Sequence, residues 1–522
     1  MAILSLDFGT GGITALYRES DQVVKADIPF NDHFGVENDG VRTHEYPGQA
    51  FQPVQFYTEG FEAVMGELRS AVGDAGMHLI RAVGIDGQQH GSTYWRTLDE
   101  DRLAGNCALE DLASEHARIW QTASSSAERR RMLKNMGGVN VYVDTAGSQP
   151  FERYTGTVIA DTKRRHPDVY EQAQHIRLIE QIPWMLLTGN ADAPLGWGGA
   201  CGTALWNYRR KDWDPELLFK ATAEMNGELR QRLPRIVPPG TGHQVHMDVA
   251  ERFGLRPDCI IYEPAGDNPA TRVTVPDDRQ DGEYVPATVI SLGTSITVNI
   301  GLGEETVDPN GALALMFDYV GRPFFLACKT NGVTAANEIL RSYEMGFEEH
   351  DKHIAHHLRN LPAILAPGAA RILLHYPQTE TFPEGLRGSV RTYDRDRGHD
   401  AVAVYEGCFA DIAVHAGQYL PDSVHVVGGA TKSEPLMQML AGILDRRLLL
   451  GAESSEGAAM GANYAAEYFF RRDRGEGIEL ADVVGTAGAV TPVDPDPKVV
   501  AHYHRPGGYL DQFKDVQSRM RA

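Results

Sequence analysis

The chain has 522 residues, and its 49 Lys and Arg against 71 Asp and Glu give it a formal net charge of −22. Because phosphate contacts are made mainly by Lys and Arg, this charge argues against a nucleic-acid partner. At about 150 residues per domain the length predicts two or three domains. A content of 42% hydrophobic and 23% charged residues is ordinary for a globular protein and excludes a fibrous or disordered chain.

The five cysteines are far apart, odd in number and include no C-x-x-C pair. Neither a disulfide framework nor a structural zinc site is therefore expected. The first residues lack the charged and apolar segments of a signal peptide, and no apolar run approaches the roughly 18 residues that a membrane span needs. These observations predict a cytoplasmic protein without a membrane partner.

The first elements in chain order form a hairpin followed by a helix and a strand. Apolar runs at 2–6 and 13–17 flank a Gly-rich turn, which predicts the hairpin. A helical period covers 61–72, and a short strand at 82–85 runs into the motif Gly-Gln-Gln-His-Gly at 87–91. Strands that alternate with helices predict an α/β layer structure.

A second α/β cycle follows a helix-rich middle segment, 113–235. A strand at 259–262 leads into Gly-Asp-Asn at 266–268, and 287–300 forms a second hairpin with Gly-Thr-Ser, 293–295, at its tip. This second unit is similar to the first hairpin, which predicts two related halves.

The last part of the chain contains a third glycine turn. A strand at 424–427 precedes Gly-Gly-Ala at 428–430, and an amphipathic helix at 435–444 has Ser433 in the position of a cap. A helix of small residues at 456–466 allows another element to approach its backbone closely.

The glycine turns are the first candidates for chemistry. They can point backbone N–H groups and hydroxyls at phosphate oxygens. The sequence has no G-x-x-x-x-G-K-[ST] loop, so a nucleotide would have to be held in another way. Asp7, at the end of a strand, is suited to Mg²⁺ because hard cations prefer carboxylate oxygens. For both Asp7 and Asp267 the alternative to a role in ligand binding is a structural one, in which the carboxylate only caps a turn.

His90 is the next candidate, because it follows a strand end where ligand-binding loops of α/β proteins lie. Its imidazole and the neighbouring amides of Gln88 and Gln89 suit a ligand with many hydroxyl groups, although a lone His is more often a structural residue. No His or Cys cluster has zinc spacing, and no G-x-S-x-G elbow provides a serine nucleophile.

Taken in order, these motifs resemble those of the FGGY family of carbohydrate kinases. The matching segments are 7–10, 87–91, 151–156, 266–270, 291–295 and 428–430. Within the family, Gly-Gln-Gln-His-Gly-Ser-Thr-Tyr-Trp at 87–95 and Gly-Asp-Asn-Pro-Ala at 266–270 look most like a xylulokinase. The resemblance covers nearly the whole chain.

The resemblance implies an α/β fold of two actin-like, ribonuclease-H-like domains with an ATP and sugar cleft between them. Residues 1–274 would form the sugar-binding domain and 275–522 the nucleotide-binding domain. It further implies ATP-dependent phosphorylation of a ketopentose, D-xylulose above all, with ATP and Mg²⁺ as cofactors. Partners would be a small-molecule sugar and ATP, and pairing into a homodimer is compatible with the family.

The resemblance also implies roles for individual residues. Asp267 would be the catalytic base, and Asp7 would serve the metal. The sugar would be bound by Gln89, His90, Arg153, Asp267 and Asn268. The nucleotide would be bound by Thr10, Gly11, Gly293, Thr294, Ser295, Gly428, Gly429, Ala430 and Ser433.

The chain departs from the family pattern at four places. Thr14 stands where the first loop usually has a basic residue, and Thr122 stands where an Asp is common. The segment 376–383 replaces a stretch similar to Ser-Gly-Glu-Arg, and Ser433 replaces an adenosine-side Asn. Three alternatives to a D-xylulose kinase stay open: a kinase for D-ribulose, L-xylulose or a polyol; a non-phosphorylating actin-like ATPase; and a sugar-binding regulator.

Overall fold

The computed structural model describes residues 1–43, 46–98, 103–104, 109–224, 227–275, 277–280, 283–293, 295–362, 364–451, 457–485 and 490–521. Its strands are Ala2–Phe8, Gly12–Glu19, Gln22–Pro29, Phe51–Pro53, Ile80–Gly87, Ser92–Trp95, His116–Arg118, His175–Leu178, Leu195–Gly196, Trp206–Asn207, Asp212–Trp213, Ile236–Val237, Gly242–Gln244, Ile260–Tyr262, Ala265–Gly266, Asp278–Gln280, Glu283–Val285, Thr288–Leu292, Ile296–Gly301, Ala314–Phe317, Pro323–Lys329, Leu373–Tyr376, Gly388–Arg391, Ser423–Val427, Arg447–Leu450 and Thr491–Val493.

Its α-helices are Phe30–Phe34, Val54–Leu79, Ser126–Met136, Val139–Ala146, Thr155–Arg165, Pro167–Gln172, Gln181–Thr188, Trp197–Ala200, Pro215–Thr222, Glu228–Arg232, Met247–Phe253, Asp267–Val273, Val333–Ser342, Phe347–Arg359, Arg397–His415, Glu434–Leu444, Gly457–Asp473, Leu480–Val484, Pro497–His504 and Tyr509–Arg521. The elements predicted from the sequence are all present, with longer bounds than predicted for most of them.

The first of two seven-stranded sheets is built around the N-terminal hairpin. Its order is Gly242–Gln244, Ile260–Tyr262, Ile80–Gly87, Ala2–Phe8, Gly12–Glu19 and Gln22–Pro29, with Ala265–Gly266 also paired to Ile80–Gly87. The hairpin strands are antiparallel, whereas the first of them runs parallel to Ile80–Gly87. The side chains of Leu4, Leu6 and Phe8 are fully buried in the core of this layer.

The second seven-stranded sheet has the same local topology. Its order is Ala314–Phe317, Pro323–Lys329, Ile296–Gly301, Thr288–Leu292, Ser423–Val427, Arg447–Leu450 and Thr491–Val493. In both sheets the first strand of a hairpin pairs in parallel with a later strand, and that strand pairs in parallel with another. This arrangement matches the two related halves predicted from the repeated hairpin.

We refer to the described residues up to 274 as the first lobe, and to 288–451 together with 490–521 as the second lobe. The lobes touch along one side of the cleft, where the amide N–H of Leu315 donates to the carbonyl of Gly147 at 2.9 Å. Beside this bond the rings of Trp206 and Phe317 pack edge to face, 5.4 Å apart. The C-terminal helix Tyr509–Arg521 packs on helix Arg397–His415 of the second lobe.

Helix Gly457–Asp473 connects the end of the second lobe to the first sheet. Its small residues permit very close packing: a Cβ on Gly461 would lie 1.9 Å from the backbone oxygen of Ala270, and one on Gly84 would lie 2.1 Å from that of Ala462. The helix therefore rests on the first sheet although it follows the predicted domain boundary in sequence. The division of the chain at residue 274 stays a prediction.

Candidate active site

Three parallel strand ends meet at one edge of the first sheet. Asp7 and Asp86 are register partners on neighbouring strands. The short strand Ala265–Gly266 pairs with the strand that carries Asp86, and it leads directly into Asp267. Ligands of open α/β sheets bind beyond the carboxyl ends of the strands, so this register brings three distant carboxyl groups to the place where a ligand is expected.

A cavity of about 180 Å³ opens between the lobes at this edge. The first lobe contributes Gln89, His90, Trp120, Phe151, Arg153, Tyr154, Asp267 and Asn268 to its walls. The second lobe contributes Ser295, Thr297, Ala312, Leu326, Ala327, Cys328, Thr381 and Phe382. The five residues predicted to bind the sugar therefore line one cavity, together with one residue predicted to bind the nucleotide.

Amide groups surround the carboxylate of Asp267. Its Oδ1 accepts hydrogen bonds from the backbone N–H of Asn268 at 2.8 Å and from the Asn268 side-chain amide at 3.0 Å. A Cβ on Gly266 would lie 2.1 Å from Cγ of Gln89, so glycine lets this glutamine reach the cavity. Burial in the cleft raises the pKa of Asp267, although the Asn268 donors oppose the rise. The carboxylate is held in place and made a better proton acceptor.

His90 is fixed in one orientation at the cavity wall. Its Nδ1–H donates to the carbonyl of Gly202 at 2.7 Å, and its ring stacks on Tyr154 with centroids 4.2 Å apart. The backbone of His90 has φ 71°, which is uncommon for a residue with a side chain and typical of functional sites. Burial, with a smaller contribution from Arg153, lowers the pKa of His90 to about 3. The imidazole is thus neutral at physiological pH, with one ring nitrogen free of the Gly202 bond.

The first predicted phosphate turn lies beside this cavity. The hydroxyl of Thr10 accepts from the indole N–H of Trp120 at 2.9 Å, and Trp120 is a cavity residue. The same hydroxyl is 3.4 Å from Oε1 of Gln88. Gly11 is exposed next to Thr10, which leaves backbone groups of the turn accessible.

The two glycine turns of the second lobe lie side by side. They follow the parallel neighbours Thr288–Leu292 and Ser423–Val427. A Cβ on Gly428 would lie 2.5 Å from the backbone oxygen of Leu292, so only glycine allows this contact. The turns contain five of the predicted nucleotide residues, namely Gly293, Ser295, Gly428, Gly429 and Ala430. Thr294 lies outside the described residues.

Ser433 caps helix Glu434–Leu444, as its sequence position predicts. Its Oγ accepts from the backbone N–H of Leu436 at 3.3 Å and donates to the carboxylate of Asp351 at 2.6 Å. Protein groups therefore occupy this hydroxyl, and its predicted contact with adenosine stays a prediction.

The sequence analysis did not single out Asp86 or Glu180, and both carboxyl groups are fully buried near Asp267. No donor among the described residues reaches a carboxylate oxygen of either one. Burial, followed by the neighbouring Asp7 and Asp267, raises the pKa of Asp86 well above its usual value. Burial likewise raises the pKa of Glu180. An acid at a strand end, directly before Gly87, was the signal that could have indicated Asp86.

Asp7 and Asp86 fit the requirements of a divalent cation. Mg²⁺ is usually held by one or two carboxylates together with substrate phosphates and water, and the buried oxygens of Asp86 have no donor among the described residues. The described part of the chain contains no group of three or more His, Cys, Asp or Glu that could hold a metal ion. Nucleotide phosphates and water would have to complete the coordination.

Two departures from the family pattern have local partners. Thr14 donates to a carboxylate oxygen of Asp27 at 2.7 Å, and the buried Thr122 donates to the carbonyl of Ala50 at 3.3 Å. Both side chains are therefore used within the first lobe. The departure at 376–383 is different, because it supplies Thr381 and Phe382 to the cavity.

Family models identify the chain. The model described as "FGGY family of carbohydrate kinases, N-terminal domain" matches residues 2–274, and the model of the C-terminal domain matches 288–469. The chain belongs to the FGGY family of carbohydrate kinases. A probable D-xylulose kinase A from Aspergillus flavus is similar to this carbohydrate kinase, with 26% identity over 539 aligned residues that cover 92% of this chain and 91% of the relative. The protein is an ATP-dependent carbohydrate kinase.

Solved structures support the fold of this carbohydrate kinase. Ligand-bound xylulose kinase from Lactobacillus acidophilus aligns with a TM-score of 0.80 at 17% identity, covering 100% of this chain and 98% of that one. Gluconate kinase from the same organism aligns over the same shares with a TM-score of 0.79 and 17% identity. The predicted fold of two actin-like domains is confirmed. Within the described residues no helix is long and apolar enough to cross a membrane.

Proposed function

We propose that this carbohydrate kinase transfers the γ-phosphate of ATP to a ketopentose, D-xylulose, to give D-xylulose 5-phosphate, with Asp267 as the base. One observation carries the proposal: Gln89, His90, Arg153 and Asn268 surround the carboxylate of Asp267 in a single cavity between the lobes. The similarity to relatives named D-xylulose kinase supports the choice of sugar.

Asp267 would accept the proton of the sugar hydroxyl that attacks the γ-phosphate. A carboxylate is a weak base toward an alcohol, but burial raises the pKa of Asp267 and so strengthens it as an acceptor. Phosphoryl transfer also has a loose transition state, in which positioning and charge stabilisation contribute most of the catalysis. The two Asn268 donors fix the direction in which Asp267 presents its carboxylate.

The sugar would be recognised by directional hydrogen bonds. The amides of Gln89 and Asn268 can each donate to or accept from a hydroxyl group. Neutral His90 can only accept, at Nε2, because its Nδ1–H already donates to Gly202, and Arg153 donates only. A pocket built to hydrogen-bond hydroxyl groups discriminates strongly against an analogue that lacks one. The aromatic rings of Phe151 and Tyr154 offer an apolar wall to the carbon chain.

The nucleotide phosphates would lie between Thr10 and Gly11 of the first lobe and the glycine turns of the second. Asp7, with Asp86 beside it, would hold Mg²⁺. When bound, Mg²⁺ supplies positive charge that offsets the charge developing on the phosphate oxygens. Closure of the two lobes would exclude water that could otherwise hydrolyse ATP.

The experiment that tests the proposal is an ADP-release assay with ATP and Mg²⁺ against D-xylulose, D-ribulose, L-xylulose, aldopentoses, gluconate and polyols. Preferred turnover of D-xylulose is expected. Preference for another sugar would support the proposed reaction but assign a different substrate. Gluconate is included in the assay because a gluconate kinase shares the fold. ADP release without any sugar would favour the ATPase, and sugar binding without turnover would favour a regulator.

The substitution His90→Ala tests the sugar side of the cavity. We expect the KM for the sugar to rise about 10-fold, because a hydrogen bond in a buried pocket contributes about 1.4 kcal/mol or somewhat less. The KM for ATP is expected to stay within about 2-fold. Steady-state kinetics of His90→Ala beside the exposed-site variant His78→Ala measure both quantities, and an unchanged sugar KM would remove His90 from the pocket.

Two broader predictions accompany the proposed function. We expect a cytoplasmic enzyme, and a homodimer is the assembly that the family resemblance suggests. Light scattering coupled to size-exclusion chromatography measures the assembly directly, with a mass near 57.4 kDa indicating a monomer.

A further inference from the structure

We infer that Glu384 is a positioning residue, whose ion pair with Arg129 of the opposite lobe holds the turn formed by 380–386 in place as a wall of the sugar cavity. This inference deepens the proposed function and rests on it. The turn overlaps the end of the segment 376–383, in which the chain departs from the family pattern.

The 380–386 turn is closed at its base by backbone hydrogen bonds. The N–H of Glu380 donates to the carbonyl of Leu386 at 2.7 Å, and the N–H of Gly385 donates to the carbonyl of Glu380 at 2.9 Å. A further backbone bridge pairs Thr381 with Glu384 across the tip. These bonds couple the position of Glu384 to that of Thr381.

The base of the turn is anchored within the second lobe. The buried carboxylate of Glu380 pairs with Lys329 at 3.0 Å and accepts from the backbone N–H groups of Thr330 at 2.7 Å and Asn331 at 3.1 Å. The same carboxylate accepts from the backbone N–H of Thr381 at 2.8 Å, and the Thr381 hydroxyl donates to the carbonyl of Cys328, so this side of the turn is held by the second lobe. The other side of the turn, at Glu384, is held by a contact with the first lobe.

Arg129 supplies that contact from helix Ser126–Met136 of the first lobe. Its guanidinium forms an ion pair with the carboxylate of Glu384, and the two side chains are only 19% and 20% exposed. Arg129 also donates to Oε1 of Gln149, whose amide donates to the carbonyl of Gly311 in the second lobe at 2.8 Å. Arg129 thus connects the first lobe to the second at two points, directly through Glu384 and through Gln149 to Gly311.

The charges around Glu384 connect this pair to the sugar side of the cavity. Burial raises the pKa of Glu384 to about 7, opposed by Arg129 and Arg153 and reinforced by Glu152. Arg153 and the turn residues Thr381 and Phe382 all line the cavity. Removing one partner of a partly buried ion pair leaves the other charge without its counterion, which is destabilising. Loss of the Arg129–Glu384 pair should loosen the turn that carries Phe382 without disturbing the nucleotide turns.

The test is a double-mutant cycle with Glu384→Gln, Arg129→Gln and the combined variant. Each single change is expected to raise the sugar KM about 5- to 20-fold, with kcat and the ATP KM within about 3-fold of the wild type. The double variant should be no worse than the poorer single variant, because the two changes remove the same interaction. Additive effects, or an unchanged sugar KM, would overturn the inference.

A matched control is Glu467→Gln, which removes an ion pair of similar burial. Glu467 pairs with Arg18 on the first sheet, and both side chains are 14% exposed. This variant is expected to leave the sugar KM unchanged. If the sugar KM of Glu467→Gln rose as much as that of Glu384→Gln, the effect would be due to general destabilisation, and the positioning role would be overturned.

A second measurement separates this inference from the proposed function. Hydrogen exchange of the ligand-free protein is expected to be at least about 5-fold faster across 380–386 in Glu384→Gln than in the wild type, with little change at Gly293 and Gly428. Faster exchange supports the ion pair as the restraint on the turn, whichever sugar the enzyme uses. Unchanged exchange overturns the inference, whereas absence of turnover with every sugar overturns the proposed function.

Discussion

The substitution Asp267→Ala is expected to lower kcat for sugar phosphorylation by about 10²- to 10⁴-fold, which is the contribution of a positioned general base. The change removes the proton acceptor but leaves the other polar cavity residues, among them Gln89 and His90, in place. Dissociation constants for ATP and for the sugar, measured by calorimetry, are expected to stay within about 3-fold. A loss of turnover with retained binding assigns Asp267 to the chemical step.

Asp267→Asn provides the conservative comparison. An amide oxygen still accepts from the Asn268 donors that contact Oδ1 at 2.8 and 3.0 Å, but an amide cannot take a proton. We expect Asp267→Asn to lose nearly as much activity as Asp267→Ala, whereas the exposed-site variant Asp248→Asn should be unaffected. Near-normal turnover in Asp267→Asn would contradict its role as the base.

The pH dependence of the wild type follows from the same residue. Burial raises the pKa of Asp267, and the base must be unprotonated to act. The rate should therefore fall on the acidic side at a higher pH than the ordinary pKa of an aspartate would give. His90 adds no step near neutrality, because burial lowers its pKa to about 3 and the imidazole stays neutral above that value.

The substitution Lys329→Met is expected to destabilise the second lobe by about 3 to 5 kcal/mol. Lys329 is 2% exposed and pairs with Glu380 at 3.0 Å and with Asp411 at 2.5 Å, so its removal leaves two buried carboxylates without their cation. Burial alone would raise the pKa of Glu380, but Lys329 holds that pKa below its usual value. Differential scanning calorimetry should show an apparent unfolding temperature lower by roughly 5 to 15 °C.

The sign of the pH dependence distinguishes this mechanism from a packing defect. The stabilisation that comes from the lowered pKa of Glu380 is present at neutral pH and is lost as the pH falls through that pKa. The deficit of Lys329→Met should therefore shrink as the pH is lowered. Lys352→Met is the matched control, because Lys352 and its partner Glu348 are 73% and 88% exposed and such exposed pairs contribute little to stability. An equal loss in both variants would contradict the prediction.

Local signals in the sequence were sufficient for the hairpins, the glycine turns and the helix cap at Ser433. The hairpin at 2–17, the second at 287–300 and the helix at 435–444 each depend on neighbours within about 15 residues, where glycine angles, alternation and capping act. The order of these local motifs carried the family resemblance. The family in turn indicated Gln89, His90, Arg153, Asp267 and Asn268, and all of them line one cavity.

Other features depend on contacts between distant segments, and only the tertiary structure decided them. The register that sets Asp86 beside Asp7 joins strands almost 80 residues apart in sequence, and the ion pair of Arg129 with Glu384 crosses between the lobes. Helix Gly457–Asp473 lies on the first sheet because Gly461 and Gly84 leave room for backbone contact, which no local pattern specifies. The sequence by itself determined the local elements and the order of the motifs. Tertiary packing decided which acids share one buried site and which turn completes its wall, because burial and charge pairing arise only when distant segments pack together.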